Sequence, residues 1–133
     1  MSHENVEIVR RGFDAFNGRD LDAFLALFDP DVEFTAYAMQ LEGGDPYRGH
    51  EGIRAWWENI LAVYPDFRAE IDDVRDVGDL TITRLRIHGR GVESDAPMDQ
   101  EVWQVVRIRE GQGIFLRFFS SEAEALEAVG MVE

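Results

Sequence analysis

Tyr64-Pro65-Asp66-Phe67-Arg68-Ala69-Glu70-Ile71-Asp72-Asp73-Val74 is where the chain changes its period, and that change decides the fold. Upstream, Ile53, Trp56, Trp57, Ile60, Leu61 and Tyr64 recur at helical spacing from a start near His50. Pro65 stops that helix, because proline disfavours helical backbone in the residue before it. Downstream, Phe67, Ala69 and Ile71 alternate with polar residues, which is strand spacing. Val74 falls on the opposite parity, so the slip at Asp72-Asp73 predicts a β-bulge, which bends a strand within a curved sheet.

Strand signals continue beyond this point. Val77-Gly78-Asp79-Leu80 reads as a hairpin turn. A strand over 81–90 then places Thr83, Leu85 and Ile87 on one face, and Arg84, Arg86 and His88 on the other. A polar loop over 91–97 leads to a strand over 100–109. Glu110-Gly111-Gln112-Gly113 turns into a last strand over 114–119, and a short helix runs from about Ser121 to an end at Gly130.

Towards the N-terminus the pattern is helical. Ser2 caps a first helix carrying Val6, Val9, Phe13 and Phe16, which ends at Asn17-Gly18-Arg19. Asp20 caps a second, over 20–28, with Leu21, Phe24, Leu27 and Phe28 on its apolar face. Asp29-Pro30-Asp31 reads as the turn that closes it. Val32, Phe34 and Ala36 then alternate as a strand, and residues 39–50 read as a loop with Gly43-Gly44 and Pro46. Helices gathered first and strands later predict an α+β fold rather than a βαβ one. We expect one domain over 1–133: a cone-shaped, curved antiparallel sheet, three N-terminal-side helices on its concave face, and a short C-terminal helix.

Composition narrows the function. The chain has 133 residues, 45% of them hydrophobic, enough for a core without staples. It has no cysteine, which removes disulfides, thiol nucleophiles and cysteine-ligated zinc. All 13 basic residues are arginine, so Schiff-base lysines and lysine-bearing phosphate loops are excluded. A net charge of −14 opposes binding to nucleic acid or anionic membranes. No apolar run approaches the roughly 20 residues of a membrane span. Met1-Ser2-His3-Glu4 lacks the basic and apolar regions of a signal peptide, so the expected location is cytoplasmic.

The ordered signatures resemble the SnoaL-like and ketosteroid-isomerase-like branch of the nuclear transport factor 2-like superfamily. They are Val9-Arg10-Arg11-Gly12-Phe13-Asp14-Ala15-Phe16-Asn17, Asp20-Leu21-Asp22-Ala23, Leu27-Phe28-Asp29-Pro30-Asp31-Val32, Tyr47-Arg48-Gly49, Tyr64-Pro65-Asp66-Phe67 and Glu124-Ala125-Leu126-Glu127-Ala128-Val129-Gly130. The resemblance implies a mostly apolar pocket in the cone and a homodimer packed through the outer sheet face. The family's catalytic positions are not matched. The isomerase tyrosine falls at Gly12, the general-base aspartate at Ala36 and the second, protonated aspartate at Gln104; the cyclase aspartate falls at Ser121. Proton abstraction beside a carbonyl needs a base and a donor to the forming enolate, and these residues supply neither a carboxylate nor an acid.

Two functions therefore stand side by side. One is a cofactor-free isomerase, cyclase or hydratase acting on a hydrophobic metabolite. The other is a non-catalytic ligand-binding or dimerisation module. For either, the candidate ligand contacts are Phe16, Phe34, Trp56, Trp57, Tyr64 and Gln104. Gly12 and Ala36 in place of a hydroxyl and a base imply a wider, more apolar pocket than in the isomerases, with Gln104 as its main polar group. Trp56 and Trp57 point about 100° apart on a helix, so one is expected in the core and the other at the helix flank or pocket wall. His3, His50 and His88 show no ligand spacing, and neither metal nor cofactor is expected. Trp103 shares parity with Glu101 and Val105, opposite Gln104 and Val106. It is expected on the outer face, buried against a second subunit.

Overall fold

The computed structural model describes residues 2–35, 47–78, 80–91 and 97–128. Helix α1 (Ser2–Asn17) is followed by α2 (Leu21–Leu25), then β1 (Phe28–Phe34), β2 (Tyr47–Arg48) and α3 (Gly49–Val63). Strands β3 (Arg68–Asp76), β4 (Leu80–Arg90), β5 (Pro97–Arg109) and β6 (Gln112–Phe119) come next, and α4 (Glu122–Ala128) ends the described chain. The strands form one curved sheet in the order β2-β1-β6-β5-β4-β3. The run from β3 to β6 is antiparallel throughout, as the alternation predicts. The β3–β4 register shifts between Ile71 and Asp73, which places the bulge at the slip in parity. Val77 N–H donates to the Leu80 carbonyl across the hairpin that follows β3.

The first half of the chain differs from the sequence reading in four ways. The second helix stops at Leu25 instead of reaching residue 28, because Phe28 already pairs with Gly113 and the Leu27 carbonyl accepts from Gly113 N–H. Asp29-Pro30-Asp31 is not a helix-closing turn but an irregularity inside β1. Asp31 N–H donates to Asp29 Oδ1 at 2.8 Å while the register to β6 shifts between Phe28 and Glu33. β1 joins β6 in parallel, so the full sheet is mixed. The loop expected over 39–50 contains β2, whose Tyr47 and Arg48 pair with Phe34 and Glu33. Gly49 follows with φ +70, and a Cβ there would lie 2.8 Å from the Pro30 carbonyl oxygen, so only glycine fits. Ala36 and Gly130 lie outside the described residues.

Two cores result. The larger sits between the concave face and α1, α2 and α3, around Phe16, Val32, Phe34, Ile53, Leu85 and Val102. The smaller lies on the outer face, where α4 brings Ala125 and Leu126 against Leu80, Ile82, Val105 and Phe119. Hence Thr81, Ile82 and Thr83 are all buried although successive residues face opposite ways. The rest of the outer face is charged. Arg86 bonds Asp99 at 3.0 Å, His88 contacts Glu70 at 2.9 Å, and Arg84 pairs with Glu101 at 3.9 Å. The hydrogen bond and the charge attraction from Asp99 raise the Arg86 pKa above its usual value. Among the described residues, no helix is long and apolar enough to cross a membrane.

Candidate functional site

A cavity of about 90 Å³ lies between α1 and the concave sheet face. Its helical wall comes from α1, whose 3.6-residue period turns Ile8, Val9, Gly12, Phe13 and Phe16 the same way. The floor comes from parity. The β4–β5 register sets Thr83 opposite Gln104 and Leu85 opposite Val102, and β5–β6 sets Gln104 opposite Phe118 and Val106 opposite Leu116. Leu85, Gln104, Val106, Leu116 and Phe118 therefore face the cavity together. Phe28, Phe34 and Trp56 close the side made by β1 and α3.

Phe16 is the hub of the aromatic wall. Its ring lies 5.1 Å from Trp57, 5.4 Å from Trp56 and 5.4 Å from Phe67, with the Trp57 and Phe67 pairs near edge-to-face, a favourable geometry. The Phe34 ring lies 4.8 Å from Trp56. Of the six candidate contacts, Phe16, Phe34, Trp56 and Gln104 line the cavity. Trp57 is buried behind the wall against Phe16 and Phe24, so the tryptophan pair divides between wall and core. Tyr64 caps α3 and packs on Gly89 and Phe67, away from the cavity. Ile8, Leu27, Leu116 and Phe118 belong to the wall but were not among the sequence candidates. The helical spacing of Ile8 with Gly12, and the parity of Leu116 and Phe118 on the last strand, carried that signal.

No described residue of the wall is ionisable, and Gln104 supplies its one side-chain amide. Gln104 is only 8% exposed, and its carboxamide has no hydrogen-bond partner among the described residues. Thr83, its cross-strand neighbour, is fully buried with Oγ1 likewise unpartnered, although it lies outside the wall. A fully buried hydroxyl left unsatisfied, as at Thr83, costs about 1–3 kcal/mol. An engineered cavity that holds benzene, six non-hydrogen atoms, measures about 150 Å³, so a ligand of that size enters this one only as its walls give. Gly12 lies in the wall, where an isomerase-like hydroxyl was mapped. Ser121 Oγ accepts from Glu124 N–H at the start of α4, far from the cavity in role. Among the described residues, no cluster of His, Asp or Glu is placed to hold a metal ion.

Comparison with known proteins agrees with this architecture. A family model described as a SnoaL-like domain matches residues 9–114. An NTF2-like protein of unknown function from Burkholderia pseudomallei superposes with a TM-score of 0.78 at 23% identity, over 93% of this chain and 95% of that one. A hypothetical protein of ketosteroid isomerase-like fold from Catenulispora acidiphila, in complex with trimethylamine, gives 0.76 at 21% identity, over 94% and 93%. TerC co-crystallised with polyporic acid gives 0.78 at 19% identity, over 96% and 98%. At these identities the likeness is one of fold. No curated protein matches the sequence significantly.

Proposed function

The chain belongs to the SnoaL-like domain family, and from that premise we propose that it binds a small, uncharged, hydrophobic molecule in its cavity without transforming it. The observation that carries this reading is the wall itself, aromatic and aliphatic apart from Gln104, with no ionisable side chain among its described residues. A charged ligand would lose its hydration there with nothing of opposite charge to replace it. Isomerisation or cyclisation through proton removal from carbon needs a base within hydrogen-bond reach, and the described wall presents none. A neutral hydrocarbon-like molecule loses little on entry and gains contact with Phe16, Phe34, Trp56 and Phe118.

Methylcyclopentane, with six carbons, is a suitable probe. Titration followed by NMR should give saturable shifts of the Trp56 indole and of the rings of Phe16 and Phe118. Acetate and methylammonium, of similar or smaller size but charged, should give none. If methylcyclopentane produces no saturable shifts, the binding function proposed here is wrong.

A further inference from the structure

Resting on that reading, we infer that the natural ligand of the cavity carries one neutral polar group in which a hydrogen-bond donor and an acceptor stand side by side, as in a lactam, a carboxamide or an enolised hydroxyketone. Gln104 sits near the middle of the floor, on β5 between β4 and β6, where its backbone position is fixed by pairing on both sides. Its side chain is more than nine-tenths buried, lines the cavity and has no hydrogen-bond partner among the described residues. A carboxamide presents a carbonyl acceptor and an amide donor about one bond angle apart. A lone acceptor on the ligand would satisfy the N–H side and leave the Gln104 carbonyl bare; a lone donor would do the reverse. Only a group offering both satisfies both ends in the same plane. Whichever way the amide is turned, this complementarity is unchanged, since a donor–acceptor pair can be flipped with it.

The surroundings exclude the other polar ligands. With no described ionisable residue in the wall, a carboxylate or ammonium group would have only a neutral amide to answer it. The volume of about 90 Å³ restricts the ligand to a compact molecule. Its polar group therefore lies against Gln104, and the remaining carbon skeleton meets Phe16, Phe34 and Trp56.

Three probes of six non-hydrogen atoms separate the possibilities: pyrrolidin-2-one (donor and acceptor), cyclopentanone (acceptor only) and methylcyclopentane (neither). In Gln104→Leu, pyrrolidin-2-one should bind about tenfold more weakly than in the native protein, cyclopentanone about threefold, and methylcyclopentane no more weakly. Thr83→Val, which removes the neighbouring orphan hydroxyl outside the wall, should leave all three affinities within twofold. Equal losses for pyrrolidin-2-one and cyclopentanone would overturn the inference, since only an acceptor is then read. So would pyrrolidin-2-one affinity that does not depend on Gln104, or its failure to bind the native protein while methylcyclopentane does bind. Loss of methylcyclopentane binding to the native protein would instead sink the binding function itself, so the two failures are distinguishable.

Discussion

Asn17 and Ala69 hold each other's polar groups in both directions. Asn17 Nδ2 donates to the Ala69 carbonyl at 2.8 Å, and Asn17 Oδ1 accepts from Ala69 N–H at 3.0 Å. β3 is the last strand of the sheet, so these groups of Ala69 point away from β4 with no strand to meet them. Arg19 extends the seal by donating to the carbonyls of Phe67 at 2.7 Å and Pro65 at 3.1 Å. The stretch Asn17-Gly18-Arg19 is thus more than the end of α1. It fastens α1 to the sheet and sets the height of the cavity wall that α1 provides.

Replacing Asn17 with alanine should destabilise the fold by about 1–3 kcal/mol, since both Ala69 groups lose their partner. Urea denaturation would read this as a lower midpoint at an unchanged slope. An unchanged midpoint would show that water satisfies Ala69 equally well.

Gly12→Ala should stabilise the protein and fill part of its cavity. The added Cβ would lie 3.7 Å from Leu27 Cδ1, an ordinary contact, so nothing has to move. Exchanging glycine for alanine inside a helix gains about 0.5–1 kcal/mol. Thermal unfolding should rise while methylcyclopentane binding weakens; a fall in both would contradict the placement of Gly12.

Thr83→Val should raise stability by about 1–2 kcal/mol, because a fully buried hydroxyl without a partner is exchanged for a methyl group. Calorimetry on the purified variant tests it. A lower melting temperature would mean that the hydroxyl has a partner after all.

A 5-ene-3-ketosteroid should not be isomerised by this protein, for want of a base in the described wall. Turnover by the native protein that vanishes in Gln104→Ala would show that the catalytic positions were mapped wrongly.

Sedimentation at micromolar concentration should show a homodimer formed through the outer sheet face. Trp103 is half-buried there, beside a polar groove bordered by Arg75, Arg84 and Glu122. Trp103→Glu should shift the protein towards monomer. A native protein that is already monomeric at this concentration would end this expectation.

The second half of the fold was legible because its information is local. Alternating residues from Phe67 onward set the strands, the parity slip at Asp72-Asp73 set the bulge, and parity alone separated Gln104 from Trp103. The first half depended on partners far along the chain. Nothing near Asp29-Pro30-Asp31 states that β6 will pair with Phe28 and turn a helix-closing motif into a strand irregularity. Two residues of β2 are too few to show a period. At the site, helical geometry showed that Trp56 and Trp57 must diverge, but which one meets the cavity depends on how α3 is rolled against β1. Tyr64 lies away from this cavity for a related reason: it follows the helical spacing of its neighbours yet sits at the helix end, where the chain turns away. Thr83 escaped notice because an orphan hydroxyl is a property of packing, invisible in a pattern of apolar and polar letters.

The parallel pairing of Phe34 with Leu116 has a consequence in time as well as in space. The four-stranded meander from β3 to β6 is made of neighbours in sequence and can assemble early, whereas β1 must wait for the chain's far end before it can dock. During synthesis Phe28 and Phe34 of β1 emerge early, yet the strand they pair beside is absent until β6 leaves the ribosome. A nascent chain stalled before residue 112 would carry Phe28 and Phe34 without that strand, leaving apolar surface of the kind chaperones bind.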